Sequence, residues 1–538
     1  MFERRDYPLY TALTILNLGA VALVFLFWFS PWNWQQHPAL FVLITIPFLF
    51  ALAMFEPRWL LLPLMRRPRH MAARPGRKVG VAVTFVPGAE PIEMLERTLE
   101  ALVALDYPHE TWVLDEGDDE NVKALCTSIG AHHYSRRGKP AYLARSGRYQ
   151  AKTKHGNYNA WLAEVGFDRY ELVAAFDPDH VPRRDFLLRV VGYFEDPEVG
   201  YVQAAQMYYN QPASFIARGA AEETYAYYSS LQMTSYAVGY PIVTGCHNTH
   251  RVEALKQVGG FAPHEADDLL ITIYYRVAGW KGVYVPEILA RGITPVDWPR
   301  YLNQQRRWAR SVLDVKFRIF PKVARRLPLA ERLISAMHGL YYLQGLGAAL
   351  WICLLAFMLV SGRSARVLTL GTAPRLLLLV GILQVCDFYR QRFFLDPRTE
   401  VGIHWRAKLL RFAKWPYILM GLFEALLRPA TGYAMTTKDR ATRRSHALAR
   451  AHSPALALIV LAWLLGVILG APQNVVLLVI AAGVVLGTIA LTLTEVLPYP
   501  DPYDPKLAQD RLALPERRPA RAMHIATAEI AKVRDPAR

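Results

Sequence analysis

The stretch ELVAAFDPDH, residues 171–180, decides how the longest soluble part of this chain folds. Its first six residues form a short, mostly apolar run that ends at the turn-forming pair Asp177-Pro178, which is typical of a buried strand. Two similar runs come earlier, at Val79–Val86 and Thr111–Leu114. This alternation of strands with helical patterns predicts an α/β domain built on a parallel sheet, with helices near residues 91–104, 119–130 and 156–165.

The chain also has uncharged stretches of about 20 residues, the length that an α-helix needs to cross a hydrocarbon core of about 30 Å. The first stretch is too long for a signal peptide and lacks a small-residue cleavage site, so we interpret it as a membrane anchor. Residues 405–427 differ because Arg and Lys recur among their apolar positions, which predicts a helix in the membrane interface or a seventh span. The six predicted spans are residues 9–30, 39–65, 336–360, 367–386, 454–471 and 474–494.

The net charge of +17 over 538 residues first suggests a nucleic-acid partner. The basic residues, however, are concentrated at the edges of the predicted spans, so the charge reports membrane topology and no nucleic acid is expected. It places both termini and residues 66–330 on the cytosolic side of an inner (plasma) membrane. The cysteines show no metal or disulfide spacing and are expected to be buried small apolar side chains: Cys126, Cys246, Cys353 and Cys386.

These signals divide the chain into six parts. They are two transmembrane helices in residues 1–70, a cytosolic domain with an interface helix at its end in 71–330, transmembrane helices in 331–390, an interfacial helix and loop in 391–450, transmembrane helices in 451–498, and a basic tail in 499–538.

Acidic residues follow two of the predicted strands. Ligands of parallel sheets bind beyond the carboxyl ends of the strands, so Asp177 and Asp179 are placed to share a divalent cation. Asp115 and Glu116 end the neighbouring strand and should face the same crevice, where a carboxylate can accept hydrogen bonds from a base or ribose. The alternative for each pair is a solvated turn or a helix cap.

Two later segments add groups of complementary chemistry. Asp267 and Asp268 precede a helical pattern; one of them is explained as a helix cap, and Asp268 could accept a proton from an attacking hydroxyl. The segment Gln304–Trp308 combines amides, guanidiniums and an indole, which suit phosphate oxygens and the face of a sugar ring. Its alternative is an amphipathic helix on the membrane surface.

In this order, the four elements resemble the D, DxD, (T/E)(D/E)D and QxxRW signatures of the processive, inverting glycosyltransferases of family 2, with the bacterial cellulose synthases most similar in layout. The likeness extends from about residue 10 to 495. It includes FDPDHVPRRDF (176–186), KHGNYN (154–159), the Gly279-Trp280 pair and TGYAMTTKD (431–439), the last resembling the family's gating loop.

The resemblance implies a GT-A-like (Rossmann-like) cytosolic domain inserted in a multi-span α-helical membrane protein. Its implied activity is transfer from a UDP-sugar, with UDP-glucose expected, onto a growing β-linked polysaccharide that leaves through the protein's own channel. Mg²⁺ or Mn²⁺ is the implied cofactor, and membrane lipid and an accessory export subunit are implied partners.

The resemblance also implies a role for each matching residue. Asp268 is the catalytic base, and the metal ligands are Asp179 and Asp177. The nucleotide-sugar would be bound by Asp115, Glu116, Lys154, Asp177, Gln304 and Arg307. The acceptor would be bound by Trp308, Asp267 and His247, and the gating-like loop would use Tyr433, Thr436 and Lys438.

The sequence departs from the family at three places. Val86–Glu90 lacks the Tyr and Asn of the family's nucleotide loop, the base motif reads Ala-Asp-Asp, and Thr244–His250 carries two histidines where the family has small residues. These histidines could be ligands, sugar contacts or polar lining. The tail has no match to a cyclic-di-GMP-binding domain, so regulation by that nucleotide through this chain is not expected. The alternatives are a β-1,3-glucan, chitin- or hyaluronan-type synthase, transfer of one sugar to a lipid carrier, and a non-enzymatic polysaccharide exporter.

Overall fold

The computed structural model describes residues 2–428 and 445–497. It begins with two long apolar helices, α1 (Tyr7–Trp28) and α3 (Pro38–Leu60), joined through the short α2 (Pro31–Trp34). Polar side chains connect the two helices near the carboxyl end of α3, where Trp59 Nε1 donates to Thr14 Oγ1 over 3.1 Å. Residues 66–78, rich in Arg and Pro, then lead into the sheet domain.

The sheet domain contains eight strands, namely β1 (Val79–Phe85), β2 (Glu110–Asp115), β3 (His132–Tyr134), β4 (Leu172–Phe176), β5 (Val181–Pro182), β6 (Val199–Tyr208), β7 (Asn248–Arg251) and β8 (Lys281–Gly292). Its helices are α4 (Ile92–Val103), α5 (Glu120–Ile129), α6 (Lys154–Trp161), α7 (Phe167–Arg169), α8 (Phe186–Val190), α9 (Phe215–Ala226), α10 (Gln232–Ala237), α11 (Val252–Val258), α12 (Asp267–Val277), α13 (Trp298–Asp314), α14 (Phe320–Val323) and α15 (Leu329–Met337).

The strands form one mixed sheet in the order β3-β2-β1-β4-β7-β6-β8-β5. The half from β3 to β4 is parallel, as the alternation of strands and helices predicts. The complete sheet is mixed, because β7, which the sequence does not predict as a strand, runs antiparallel to both β4 and β6. The physical reason is that β7 reads Asn-Thr-His-Arg; a polar four-residue segment gives no period from which a direction could be inferred.

The central strands are buried on both faces, which explains their continuous apolar runs. Val81 and Val83 of β1 pack with α4 and α5 on one side of the sheet, whereas Ala82 packs with α6 and α12 on the other. Because helices cover both faces, the carboxyl edge of the strands is the side at which polar groups can collect.

The remainder of the described chain is helical and consists of α16 (Gln344–Ser361), α17 (Ala373–Arg390), α18 (Pro397–Glu400), α19 (Trp405–Ala413), α20 (Trp415–Leu427), α21 (Ala447–Ile468) and α22 (Val475–Leu493). Residues 405–427 form two helices, α19 and α20, that meet at Lys414; α20 is apolar but only 13 residues long.

Within residues 2–428 and 445–497, five helices are long and apolar enough to cross a membrane: Arg4–Trp28, Pro38–Leu64, Leu329–Ser361, Ala447–Ile468 and Val475–Val496. Five of the six predicted spans therefore have a matching helix. The predicted span at 367–386 overlaps α17, which is not among the five; its 18 residues include Arg375, Asp387 and Arg390. The gating-like residues Tyr433, Thr436 and Lys438 lie outside the described residues.

Candidate functional site

A cavity of about 1510 Å³ lies where the carboxyl edge of the sheet meets the membrane helices. The part of the cavity next to the sheet is lined by most of the residues that sequence analysis selected: Glu116, Lys154, Asp177, Asp179, Asp267, Asp268, Gln304, Arg307 and Trp308. The acidic segments after β2 and β4 and at the start of α12 thus lie in one cleft, although the first and the last of them are about 150 residues apart in the chain.

Asp177 and Asp179 lie directly after β4, where the buried run Leu172–Phe176 ends. Asp177 Oδ1 accepts a hydrogen bond from Lys154 Nζ over 2.6 Å, and the same ammonium donates to the Gly245 carbonyl over 2.5 Å. Asp179 is almost fully buried and contacts His180 Nδ1 over 3.1 Å. Ligand atoms of these two aspartates and His180 all lie within 4.8 Å of one another, which is compatible with one shared cation.

The two acids after β2 behave differently from each other. The Asp115 carboxylate is fully buried and does not line the cavity; it accepts backbone N–H groups of Gly117 (2.8 Å) and Asp119 (2.6 Å). It therefore shapes the turn that follows the strand. Glu116 lines the cavity and makes a two-pronged ion pair with Arg136, with N···O distances of 2.9 and 2.8 Å. The contact of Asp115 with a nucleoside remains a prediction.

Arg136 is a functional candidate that sequence analysis missed. Its guanidinium is fully buried and also donates to the carbonyl oxygens of Tyr142, Gln150 and Thr153. It thereby holds the loop between β3 and α6 against the cavity wall. Because Arg is rarely buried, its burial here indicates that it holds this loop in place. The sequence Arg136-Arg137 does not show which of the two side chains is buried.

Asp267 and Asp268 begin α12, and both line the cavity. Asp268 Oδ1 accepts the Leu269 N–H over 2.7 Å, and Asp267 Oδ1 accepts the Asp268 N–H over 3.0 Å. Burial raises the pKa of both carboxyls, although the nearby Lys154 ammonium acts in the opposite direction. A carboxylate with a raised pKa is a stronger acceptor for the proton of a hydroxyl group.

Helix α13 presents Gln304, Arg307 and Trp308 to the cavity. Trp308 is 37% exposed, so the face of its indole is accessible to a ligand. The alternative of a helix that only contacts the membrane surface does not fit this orientation. Of the two intervening residues, Gln305 is buried, also lines the cavity and accepts from Lys414 Nζ (2.9 Å), whereas Arg306 lies outside the lining and pairs with Glu424.

The cavity continues between the membrane helices. There its walls are mainly apolar and include Phe50 and Ala51 of α3, Ala348 and Trp351 of α16, and Leu383 of α17. At the boundary, the buried Lys414 pairs with Glu223 over 2.7 Å. One continuous space therefore joins the acidic cleft to the membrane layer.

His247 lies outside the lining of this cavity. Its side chain is fully buried beneath the cleft, and burial together with the neighbouring His180 lowers its pKa well below the usual range. Acceptor binding by His247, which the resemblance implies, remains a prediction.

Acidic motifs follow β2 and β4, and a helix that carries Gln, Arg and Trp lines the same cavity. This combination defines the class of glycosyltransferases with a GT-A-like fold. Comparison with known families agrees: residues 80–311 match the family described as "Glycosyltransferase like family 2". This part of the chain is thus similar to family 2 glycosyltransferases, which confirms the resemblance seen in the sequence.

The similar curated proteins are bacterial cellulose synthases. The cellulose synthase catalytic subunit (UDP-forming) of Pseudomonas fluorescens strain SBW25 is 26% identical over 294 residues, which cover 53% of this chain and 38% of that protein. Cellulose synthase 1 of Komagataeibacter xylinus is 27% identical over 345 residues, covering 60% of this chain and 21% of that protein. The match thus spans well under half the length of these relatives.

Two solved structures are also similar. A mannosyltransferase from Pyrobaculum calidifontis, in complex with GDP-mannose and Mn²⁺, has a TM-score of 0.48 and 19% identity, and the match covers 72% of this chain and 99% of that one. The glucosyl-3-phosphoglycerate synthase of Mycobacterium tuberculosis, with Mn²⁺ and UDP, has a TM-score of 0.27 and 15% identity, with coverage of 39% and 70%.

Proposed function

We propose that this protein is an inner-membrane glycosyltransferase that extends a β-linked polysaccharide from a UDP-sugar, with UDP-glucose as the expected donor, and passes the product through its own membrane helices. The observation that carries the proposal is the single cavity, which has the acidic cleft at one end and apolar walls between α3, α16 and α17 at the other. The catalytic domain would lie in the cytosol, where nucleotide sugars are made.

The donor would bind at the strand ends. Asp177 and Asp179 provide a hard oxygen donor set that suits Mg²⁺ or Mn²⁺, which usually take only one or two protein carboxylates and leave the other positions to phosphate and water. When bound, this ion would neutralise the diphosphate leaving group. Lys154, Gln304 and Arg307 line the same space and would contact the pyrophosphate from the protein side.

The acceptor would enter from the membrane side with its terminal sugar against Trp308. Asp268 would remove the proton from the attacking hydroxyl, whose oxygen forms the new bond to the anomeric carbon as the bond to UDP breaks on the opposite face. One displacement of this kind inverts the anomeric configuration, and the protein contributes positioning and stabilisation of charge.

The direct test incubates membranes containing the full chain with labelled UDP-glucose, UDP-N-acetylglucosamine and UDP-glucuronic acid, each alone and the last two together, and measures product length and linkage. We expect a long β-linked polymer from UDP-glucose. A lipid that carries one sugar would show nonprocessive transfer. A polymer from another donor would identify that sugar nucleotide as the substrate, and no transfer from any donor would favour a non-enzymatic exporter.

A further inference from the structure

Three buried side chains form a second cluster beneath the acidic cleft. They are His180, which follows the Asp177-Pro178-Asp179 motif, and Cys246 and His247, which precede β7. Their relative exposures are 3%, 0% and 0%, and one ligand atom from each lies within 4.8 Å of the other two. The rings of His180 and His247 are 4.7 Å apart and nearly perpendicular, so neither stacks on the other.

His247 has a nitrogen without a partner in this cluster. Its Nε2 is buried and makes no hydrogen bond among the described residues, and its Nδ1 makes only a long contact of 3.4 Å to the Ala205 carbonyl. A buried polar atom without a partner is destabilising, because it has lost its hydrogen bonds to water, so native proteins rarely keep one without a use. The backbone is also unusual here, because φ of this non-glycine residue is +60°.

His180 is oriented as metal-bound histidines are. Its Nδ1 is 3.1 Å from Asp179 Oδ1, so the carboxylate favours the tautomer that carries hydrogen on Nδ1. The lone pair of Nε2 then faces the Gln206 amide nitrogen at 2.9 Å, where it accepts an N–H. A cation could take the place of that amide hydrogen.

We propose that His180, Cys246 and His247 bind a borderline transition-metal ion such as Zn²⁺. His180 would be a ligand of this ion, and the separate cation at the strand end would be held by Asp177 and Asp179 alone. One thiolate and two imidazoles are ligands that Zn²⁺ prefers, whereas Mg²⁺ and Mn²⁺ prefer oxygen. On binding, the Cys246 thiol releases its proton to solvent and a sulfur–metal bond forms. His180 also lines the large cavity, which gives the ion a route of entry.

Such an ion would link the end of β4 to the segment before β7. This link crosses the point where the sheet changes from parallel to antiparallel pairing, next to the acidic cleft. Its role would be to fix the position of the Asp179 motif, and three protein ligands leave a fourth position for water.

The experiment uses the full chain, purified in detergent, stripped with a chelator and titrated with Co²⁺ as a spectroscopic substitute for Zn²⁺. We expect one equivalent to bind with a near-ultraviolet absorption from thiolate-to-cobalt charge transfer. Zn²⁺ should abolish this band, and a thousandfold excess of Mg²⁺ should leave it unchanged. The matched variants are Cys246→Ser, which should lose the band, and Cys126→Ser, which removes a buried thiol in α5 and should keep it.

Two further measurements make the outcome decisive. Zn²⁺ should raise the thermal unfolding midpoint of the Cys126→Ser protein but not that of Cys246→Ser or His247→Ala, which also shows whether the variants fold. Asp177→Asn should keep the cobalt band even if it abolishes glycosyl transfer, which separates this site from the proposed activity. Absence of the band, its persistence in Cys246→Ser, or its displacement by Mg²⁺ would overturn the proposal.

Discussion

At the scale of single residues, neighbouring carboxylates in this chain have different tasks because they meet different partners. Asp115 is occupied by two backbone N–H groups, whereas Glu116, next in sequence, faces the cavity and pairs with Arg136. The sequence places both acids at the end of a strand. It cannot show which of them faces the cavity, because that depends on the conformation of the turn.

Asp268→Asn should reduce polymer synthesis by about a hundredfold to ten-thousandfold, because the amide cannot accept the acceptor's proton. Binding of the labelled nucleotide to the purified variant should stay within twofold of wild type, since Asp268 is proposed to contact the acceptor. Undiminished synthesis would exclude Asp268 as the base.

The rate of the wild-type enzyme should fall as the pH decreases, because only the ionised Asp268 is a base. Burial raises the pKa of this carboxyl above the usual 3.8, so the loss should occur at a higher pH than for an ordinary aspartate. A profile of kcat against pH at saturating substrate checks this; a rate that stays constant down to about pH 4 would contradict it.

At the scale of elements, the boundaries of the central strands follow from apolar runs. The predicted strands Val79–Val86 and Glu171–Phe176 differ from β1 and β4 by one residue each. The short polar β7 could not be predicted, because tertiary contacts and not local periodicity define it. The break between α19 and α20 has a local signal that the prediction of one helix overlooked, since Pro416 lies at the start of α20. Tertiary contacts also hid Arg136, whose partners extend from Glu116 to Thr153.

Arg136→Met should lower the free energy of unfolding by about 3–5 kcal/mol, because the substitution leaves the Glu116 carboxylate in a largely buried place without its cation. Donor affinity should weaken as well, since the loop up to Thr153 loses its anchor. Denaturant unfolding and nucleotide titration measure the two effects. The neighbouring Arg137 is exposed, and Arg137→Met is the control that should change stability by less than about 1 kcal/mol.

The packing of α20 on α13 positions the helix that carries Gln304, Arg307 and Trp308. A Cβ atom at Gly421 would lie 2.6 Å from the Arg306 carbonyl oxygen and 3.1 Å from the Arg310 nitrogen, both of them backbone atoms of α13. Gly421→Val should therefore push the helices apart, cost about 1–3 kcal/mol of stability and reduce synthesis at least tenfold.

The control for this change is Gly483→Val in α22, where a Cβ atom would meet nothing within 4 Å. Polymer yield and the thermal unfolding midpoint should be near wild type in that variant. Equal losses in both variants would mean that membrane insertion and not the α13–α20 contact is affected.

At the scale of the whole molecule, the cavity connects the two halves of the chain that the sequence presents as separate: a soluble α/β domain and a set of membrane helices. Hydropathy predicts each half, but the continuity of the space between them depends on how the helices pack around it. We expect that space to hold the growing polymer.

Ala348→Trp should obstruct the membrane part of the cavity, because Ala348 lines its wall in α16. The product should be shortened or lost while nucleotide binding stays unchanged. Ala22→Trp, on an exposed face of α1, adds the same bulk outside the cavity and should leave product length unchanged. Product sizing by gel filtration compares the two, and full-length polymer from Ala348→Trp would exclude this route.

The antiparallel direction of β7 has a consequence for how such enzymes diversify. Residues at the end of a parallel strand line the site and also form the turn into the next helix. Because they have both functions, these positions tolerate few substitutions. Thr244 and Gly245 reach the cleft on the way into a strand, so no helix start depends on them. Exchanging residues 244 and 245 for those of relatives, with the buried Cys246 and His247 kept, should therefore alter ligand preference while leaving the scaffold intact, which makes these two positions the natural target for engineering new specificities.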